Sequence, residues 1–157
     1  MFCAACERAA TTEAKPVVLD PCSLVTRTDA SALFGHSASQ KPAGDGACEW
    51  EINVSDRSAS SLRLQIQMQK KDAPLIIVTK SEIMINGQQY GEPTKAEPLP
   101  IGEYGVIELS GSLVRLHWIH GDKLLELTLA SKGPSTFTAV SKTEQMKRLA
   151  QKVDRSL

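Results

Sequence analysis

Cys3 and Cys6, separated by two alanines in the opening MFCAACERAA, are the residues best spaced for chemistry. A C-x-x-C pair runs thiol–disulfide exchange when a strand precedes it and a helix follows, because the helix N-terminus lowers the thiol pKa. Here Met1-Phe2 precedes the pair and a polar stretch follows. The pair could also be half of a structural zinc site, which then needs two further ligands. His117 and His120 are the close histidines, but three positions apart on a strand they point to opposite faces unless a turn bends one round. Ser23 lacks the G-x-S-x-G setting of a nucleophile elbow and reads as a helix-start serine. Gly102, Gly105 and Gly111 surround a strand instead of opening a strand-to-helix phosphate loop. Glu49 and Glu51 share a strand face and read as a solvated outer surface, and His36 sits where a helix dipole would welcome it. Trp50 and Trp118 are both expected to point inward. These residues predict no catalytic set, no metal site and no cofactor.

A different chemistry fits Cys6. Small residues before a cysteine, as in Ala4-Ala5-Cys6, resemble the end of a bacterial lipoprotein signal, whose cysteine becomes lipidated and N-terminal. The charged and apolar regions of such a signal would precede Met1, with Phe2 the last trace of the apolar part. That expectation implies an earlier start codon or a trimmed chain. It makes residues 1–6 a signal remnant, 7–18 (ERAATTEAKPVV) a flexible tether, and 19–157 one folded domain.

The elements that must position any site follow from periodicity. Thr26 and Asp29 have capping-box spacing. Ala30, Leu33 and Phe34 then give a short helix one apolar face, and Gly35 ends it. HSASQKPAGDGA reads as a loop. CEWEINV alternates, with Cys48, Trp50, Ile52 and Val54 inward, SDRSASS turns, and LRLQIQMQ alternates again, so the two runs form an antiparallel hairpin. Residues 73–85 are ambiguous: Pro74 and Asn86-Gly87 frame a helix, whereas Ile76, Ile77, Val78 and Thr79 favour a strand. Helix is the expectation taken. EPTKAEPLPIG reads as a loop. YGVIEL, SLVRLHWIH and DKLLELTLA follow as three strands. Ser141 and Glu144 have capping-box spacing, and Met146, Leu149, Ala150, Val153 and Leu157 recur at helical spacing, predicting a helix over about 142–156. The fold class expected is α+β: an antiparallel sheet of about five strands with helices packed on it, in the order helix-ββ-helix-βββ-helix.

Cys22 and Cys48 lie 26 positions apart, before the first helix and at the start of the first strand. In an oxidising compartment they could bond, adding roughly 3 kcal/mol by closing that loop. In a reducing one they would be two small buried hydrophobes. An envelope location would favour the bond.

Asp20-Pro21-Cys22-Ser23-Leu24-Val25-Thr26, the helix end Leu33-Phe34-Gly35 and Cys48-Glu49-Trp50 together resemble small bacterial envelope lipoproteins of actinobacterial type that carry a domain of unknown function. LPIGEYGVIEL, the strand turn at Gly121-Asp122 and the closing EQMKRLAQKVDRSL extend the likeness over about residues 19–157. The resemblance implies a secreted, lipid-anchored α+β domain with one disulfide, and no assigned catalytic residues.

Charge and hydropathy narrow the partners. Eighteen basic and eighteen acidic residues cancel, which argues against a nucleic-acid binder. No apolar run approaches the roughly 20 residues of a spanning helix, so the membrane is met only through a lipid on Cys6. The expected function is a non-enzymatic, lipid-anchored envelope domain that binds a protein or small-molecule partner. Long polar loops on a rigid scaffold are where such surfaces sit, which points to Gln88–Pro100 with Tyr90 and Tyr104. An inhibitor or immunity protein for a secreted enzyme is the second expectation. A hydrolase or thiol oxidoreductase is the third.

Overall fold

The structure is a computed structural model and describes residues 19–55, 58–68, 95–132 and 138–157. The expected signal remnant, the tether, the 73–85 helix, Cys3, Cys6 and Tyr90 lie outside these residues.

Two helices open the described chain. Asp20 caps α1 (Pro21–Leu24) by accepting from the Cys22 N–H at 2.9 Å, with Pro21 in the first turn, where its missing N–H costs nothing. This one-turn helix was not expected, and it places Cys22 inside a helix instead of before one. The capping box of α2 (Arg27–Phe34) is formed as the spacing predicts: the Asp29 N–H donates to Thr26 Oγ1, and Asp29 Oδ2 accepts from the Thr26 N–H at 2.9 Å. Gly35 ends α2 with φ 74°, the left-handed conformation that glycine adopts without a steric penalty.

The sheet has seven strands, not about five. They are β1 (Ser39–Lys41), β2 (Ala47–Ser55), β3 (Ser58–Met68), β4 (Lys95–Pro98), β5 (Glu103–Ser110), β6 (Leu113–His120) and β7 (Lys123–Lys132), in spatial order β1-β2-β3-β7-β6-β5-β4 with every pair antiparallel. The two additional strands come from stretches read as loops. β1 lies in HSASQKPAGDGA, and all three of its residues are exposed. β4 lies in EPTKAEPLPIG, and Ala96 is its one buried residue. Neither carries an apolar alternation; each is held by the backbone of its longer neighbour. Both are edge strands, short and flanked by Lys and Pro (Lys41-Pro42, Lys95, Pro98), which discourages pairing with another chain. The β2–β3 connection is also tighter than SDRSASS suggested, since β3 already begins at Ser58.

After β7 a 3₁₀ turn (Ala139–Lys142) leads into α3 (Thr143–Arg155). The expected Ser141–Glu144 box is absent. Thr138 caps the 3₁₀ turn by accepting from the Ser141 N–H, Lys142 at the start of α3 makes no side-chain cap, and Glu144 pairs with Lys147 at 2.9 Å instead. The extra 3₁₀ turn moves the first residue of the α-helix two positions past Ser141.

Side chains cross the sheet in rows. On one face run Trp50–Leu62–Leu129–Val114–Leu109, then Cys48–Leu64–Leu127–Leu116–Ile107, then Ile66–Leu125–Trp118. The three helices cover this face: Leu24, Ala30, Leu33, Phe34, Met146, Leu149, Ala150 and Val153 join the same buried cluster. Burying a Leu or Phe side chain contributes about 1.5–3 kcal/mol, so this layer carries most of the fold. The structure is therefore a helix layer on an antiparallel sheet, as the single-faced strands require.

Candidate functional site

Cys22 and Cys48 are disulfide-bonded, with sulfurs 2.03 Å apart. The bond ties α1 to the buried start of β2. Two contacts reinforce it: Gln40 Nε2 of β1 donates to Cys22 Sγ at 3.1 Å, and Trp50 Nε1 donates to the Val25 carbonyl at 2.9 Å. The DPCSLVT segment is thus held to the sheet covalently, by an indole hydrogen bond, and by the burial of Leu24 and Val25. Ser23 Oγ donates to the Asp20 carbonyl at 2.7 Å, the behaviour of a helix-start serine.

Tyr104, expected as part of a binding surface, is 61% exposed. It stands where the β5–β6 register shifts between Glu103 and Val106, and its φ of 53° makes it the non-glycine residue with positive φ among the described residues. A bulky side chain in the left-handed region costs of order 1–3 kcal/mol, and such strain persists only where the surroundings enforce it. They do so here. The Leu99 N–H donates to the Gly105 carbonyl at 2.9 Å and the Ile101 N–H to the Leu99 carbonyl at 2.8 Å, closing a tight arch. A Cβ at Gly105 would collide with the Leu99 and Ile101 carbonyls. Leu99 and Ile101 are anchored in the core. The arch therefore presents an aromatic ring from a rigid mount.

The opposite face of the sheet is polar but not freely solvated. One row runs Lys41–Glu49–Arg63–Thr128–Arg115–Glu108 across six strands. Glu51, expected to be simply solvated like Glu49, pairs with Lys41 at 2.6 Å, and Glu49 lies 3.8 Å from Arg63; both are half-buried. Arg115 Nη1 donates to Glu108 at 3.3 Å. Glu126 accepts from Thr128 Oγ1 at 3.1 Å and lies 3.7 Å from both Arg115 Nε and His117 Nδ1. Each carboxylate thus has a cation or hydroxyl beside it, and the network keeps neighbouring strands in register. His117 and His120 face opposite ways as predicted: His120 Nδ1 lies 3.0 Å from Asp154 of α3, on the helix side.

Burial holds the His117 imidazole below its ordinary value of 6.5, outweighing the attraction of Glu126, while Arg115 pushes the same way as burial. The folded chain therefore resists the proton that the unfolded chain accepts. His117 contributes stability that is complete above pH 6.5 and lost as pH falls below it. Urea unfolding is expected to show a falling midpoint between pH 7.5 and 5.5, and His117→Gln is expected to flatten that slope.

A cleft of about 310 Å³ opens between α2 and α3, lined by Asp29, Ala32, Leu33, Gln145, Arg148, Leu149 and Lys152. Lys152 Nζ and Asp29 Oδ2 meet at 2.6 Å across it. Burial works to raise the Asp29 carboxyl, but the hydrogen bonds from Lys152 and Thr26 outweigh it and hold the group below 3.8. Asp29 thus caps α2 and clamps α2 to α3 at once.

The chain matches no known family model. No curated protein matches it either. The expected site residues are not gathered in one place: the disulfide lies between α1 and β2, and Tyr104 lies at the β5 bulge. The α2–α3 cleft has no counterpart among the expected sites. Its signal was present as the outward positions Gln145, Arg148 and Lys152 of a helix read only for its apolar stripe.

Proposed function

We propose that this chain is a lipid-tethered bacterial envelope domain that acts by binding, moored through Cys6 and related to the small actinobacterial-type lipoproteins whose DPCSL and C-x-W segments it resembles. The observation that carries the reading is the Cys22–Cys48 disulfide. Structural disulfides persist in oxidising, extracytoplasmic compartments and are rare in the cytosol. The reading accounts for why a domain with a sizeable core also carries a covalent tie at its N-terminal segment. It also gives the exposed Tyr104 a use: rigid aromatic side chains dominate protein–protein hot spots. That observation favours a second reading, an inhibitor or immunity protein whose Tyr104 arch meets a secreted enzyme.

The anchor is tested by expressing the full-length gene product in a bacterium fed a radiolabelled fatty acid. Label is expected on the wild-type protein and absent from Cys6→Ser. An unlabelled wild-type product overturns the anchor. The inhibitor reading predicts that Tyr104→Ala abolishes protection against the toxic enzyme of a neighbouring gene while leaving the thermal midpoint within a few degrees.

A further inference from the structure

We propose that the cleft between α2 and α3 is a binding site for a small organic monocarboxylate with an apolar body. This goes beyond the tethered-domain reading and stands whether or not Cys6 is lipidated. Three features of the cleft select the ligand. Its floor is apolar: Leu33 and Leu149 are both buried, and Ala32 lies open beside them. Its volume of about 310 Å³ is at the lower end of small-molecule pockets, enough for a short aliphatic or aromatic group.

Its rim supplies one uncommitted cation. Arg148 uses Nε to donate to the Glu144 carbonyl of its own helix at 3.3 Å, and its two terminal nitrogens have no carboxylate partner among the described residues. Lys152, the other cation, is already committed to Asp29. A guanidinium presents a planar fork that matches a carboxylate with two parallel N–H donors. Gln145, one turn before Arg148 on the same wall, adds an amide that can donate to a carboxylate or accept from an N–H.

The charge balance of the rim sets the ligand's charge. Arg148 and Lys152 against Asp29 leave a single net positive charge. Asp29 stays ionised because its carboxyl is held below the ordinary range. A doubly charged phosphate would meet that fixed carboxylate at close range, whereas a monoanion is neutralised by Arg148 alone. The apolar floor then selects among monoanions for those with a hydrocarbon body.

The test is a titration of the isotopically labelled protein with hexanoate, followed by the methyl signals of Leu33, Leu149 and Ala32. Hexanoate is expected to shift them saturably. Hexanamide, of the same shape without the charge, is expected to bind at least about tenfold more weakly, the loss of one charge-assisted fork. Arg148→Gln is expected to weaken hexanoate about tenfold and leave hexanamide unchanged; Arg148 is exposed, and an unaltered spectrum elsewhere verifies that the variant is folded. The proposal is overturned if hexanoate moves none of these methyls, if hexanamide binds equally well, if Arg148→Gln binds hexanoate as the wild type does, or if inorganic phosphate competes more tightly than hexanoate.

Discussion

Replacing Cys22 and Cys48 together by alanine is expected to lower the unfolding free energy by about 3 kcal/mol and the thermal midpoint by roughly 10 °C. The bond closes a 26-residue separation, and freeing that loop restores chain entropy to the unfolded state. The loss should fall on this tie in particular. α1 is one turn long, and its other links to the sheet include the Gln40–Cys22 and Trp50–Val25 hydrogen bonds and the burial of Leu24 and Val25. A reductant should reproduce the loss in the wild type and have no effect on the double variant. A wild-type midpoint unmoved by reductant, with the thiols shown to be free, would contradict the bond's structural role. A loss of this size is a large part of the 5–15 kcal/mol that ordinarily separates folded from unfolded domains.

Trp118→Ala is expected to cost more, about 4 kcal/mol, enough to leave the domain partly unfolded at 37 °C. Among the described residues Trp118 is the largest fully buried side chain, lying on the same cross-strand row as Leu125 and Ile66 beneath α3. Its indole also reaches out of the core: Nε1 donates to Asp154 Oδ1 at 3.0 Å, the same oxygen that lies 3.0 Å from His120 Nδ1. One carboxylate near the end of α3 thus receives two donors from β6 and fixes where the helix lies along the sheet. The packing and polar parts can be separated. Trp118→Phe keeps most of the volume and loses the donor. Asp154→Ala keeps the indole and leaves its buried N–H unpaired, at about 1–3 kcal/mol. A double-mutant cycle by chemical denaturation should give a coupling of about 1 kcal/mol between them. Additive losses would show that the hydrogen bond contributes nothing.

The elements that were legible in the sequence share a physical property: a local pattern that tertiary contacts reinforce. β2, β3, β5, β6 and β7 alternate because one face meets the helices and the other does not. α2 announces both ends, through Thr26 and Asp29 at the start and Gly35 at the stop. The inward placement of Trp50 and Trp118 follows from the same parity. β1 and β4 were hidden because edge strands with exposed side chains need no apolar rhythm; their partners' backbones define them. The Ser141–Glu144 spacing misled because a 3₁₀ turn fits between Thr138 and Thr143, capped by Thr138 and held by the burial of Ala139. Glu49 and Glu51 were assigned to the outer face correctly, but their ion pairs depend on which strands lie beside β2.

By itself, the sequence determined the α+β class, the core faces of the longer strands and the α2 caps, because each rests on residues within a few positions of one another. It left open whether Cys22 and Cys48 bond, how Tyr104 is mounted, and that Asp29 meets Lys152 across a cleft. Those features join residues 26, 6 and 123 positions apart: Cys22 with Cys48, Leu99 with Gly105 and Asp29 with Lys152. Local propensity carries no information over such separations. They are decided when the helices settle on the sheet and bring distant side chains within bonding distance.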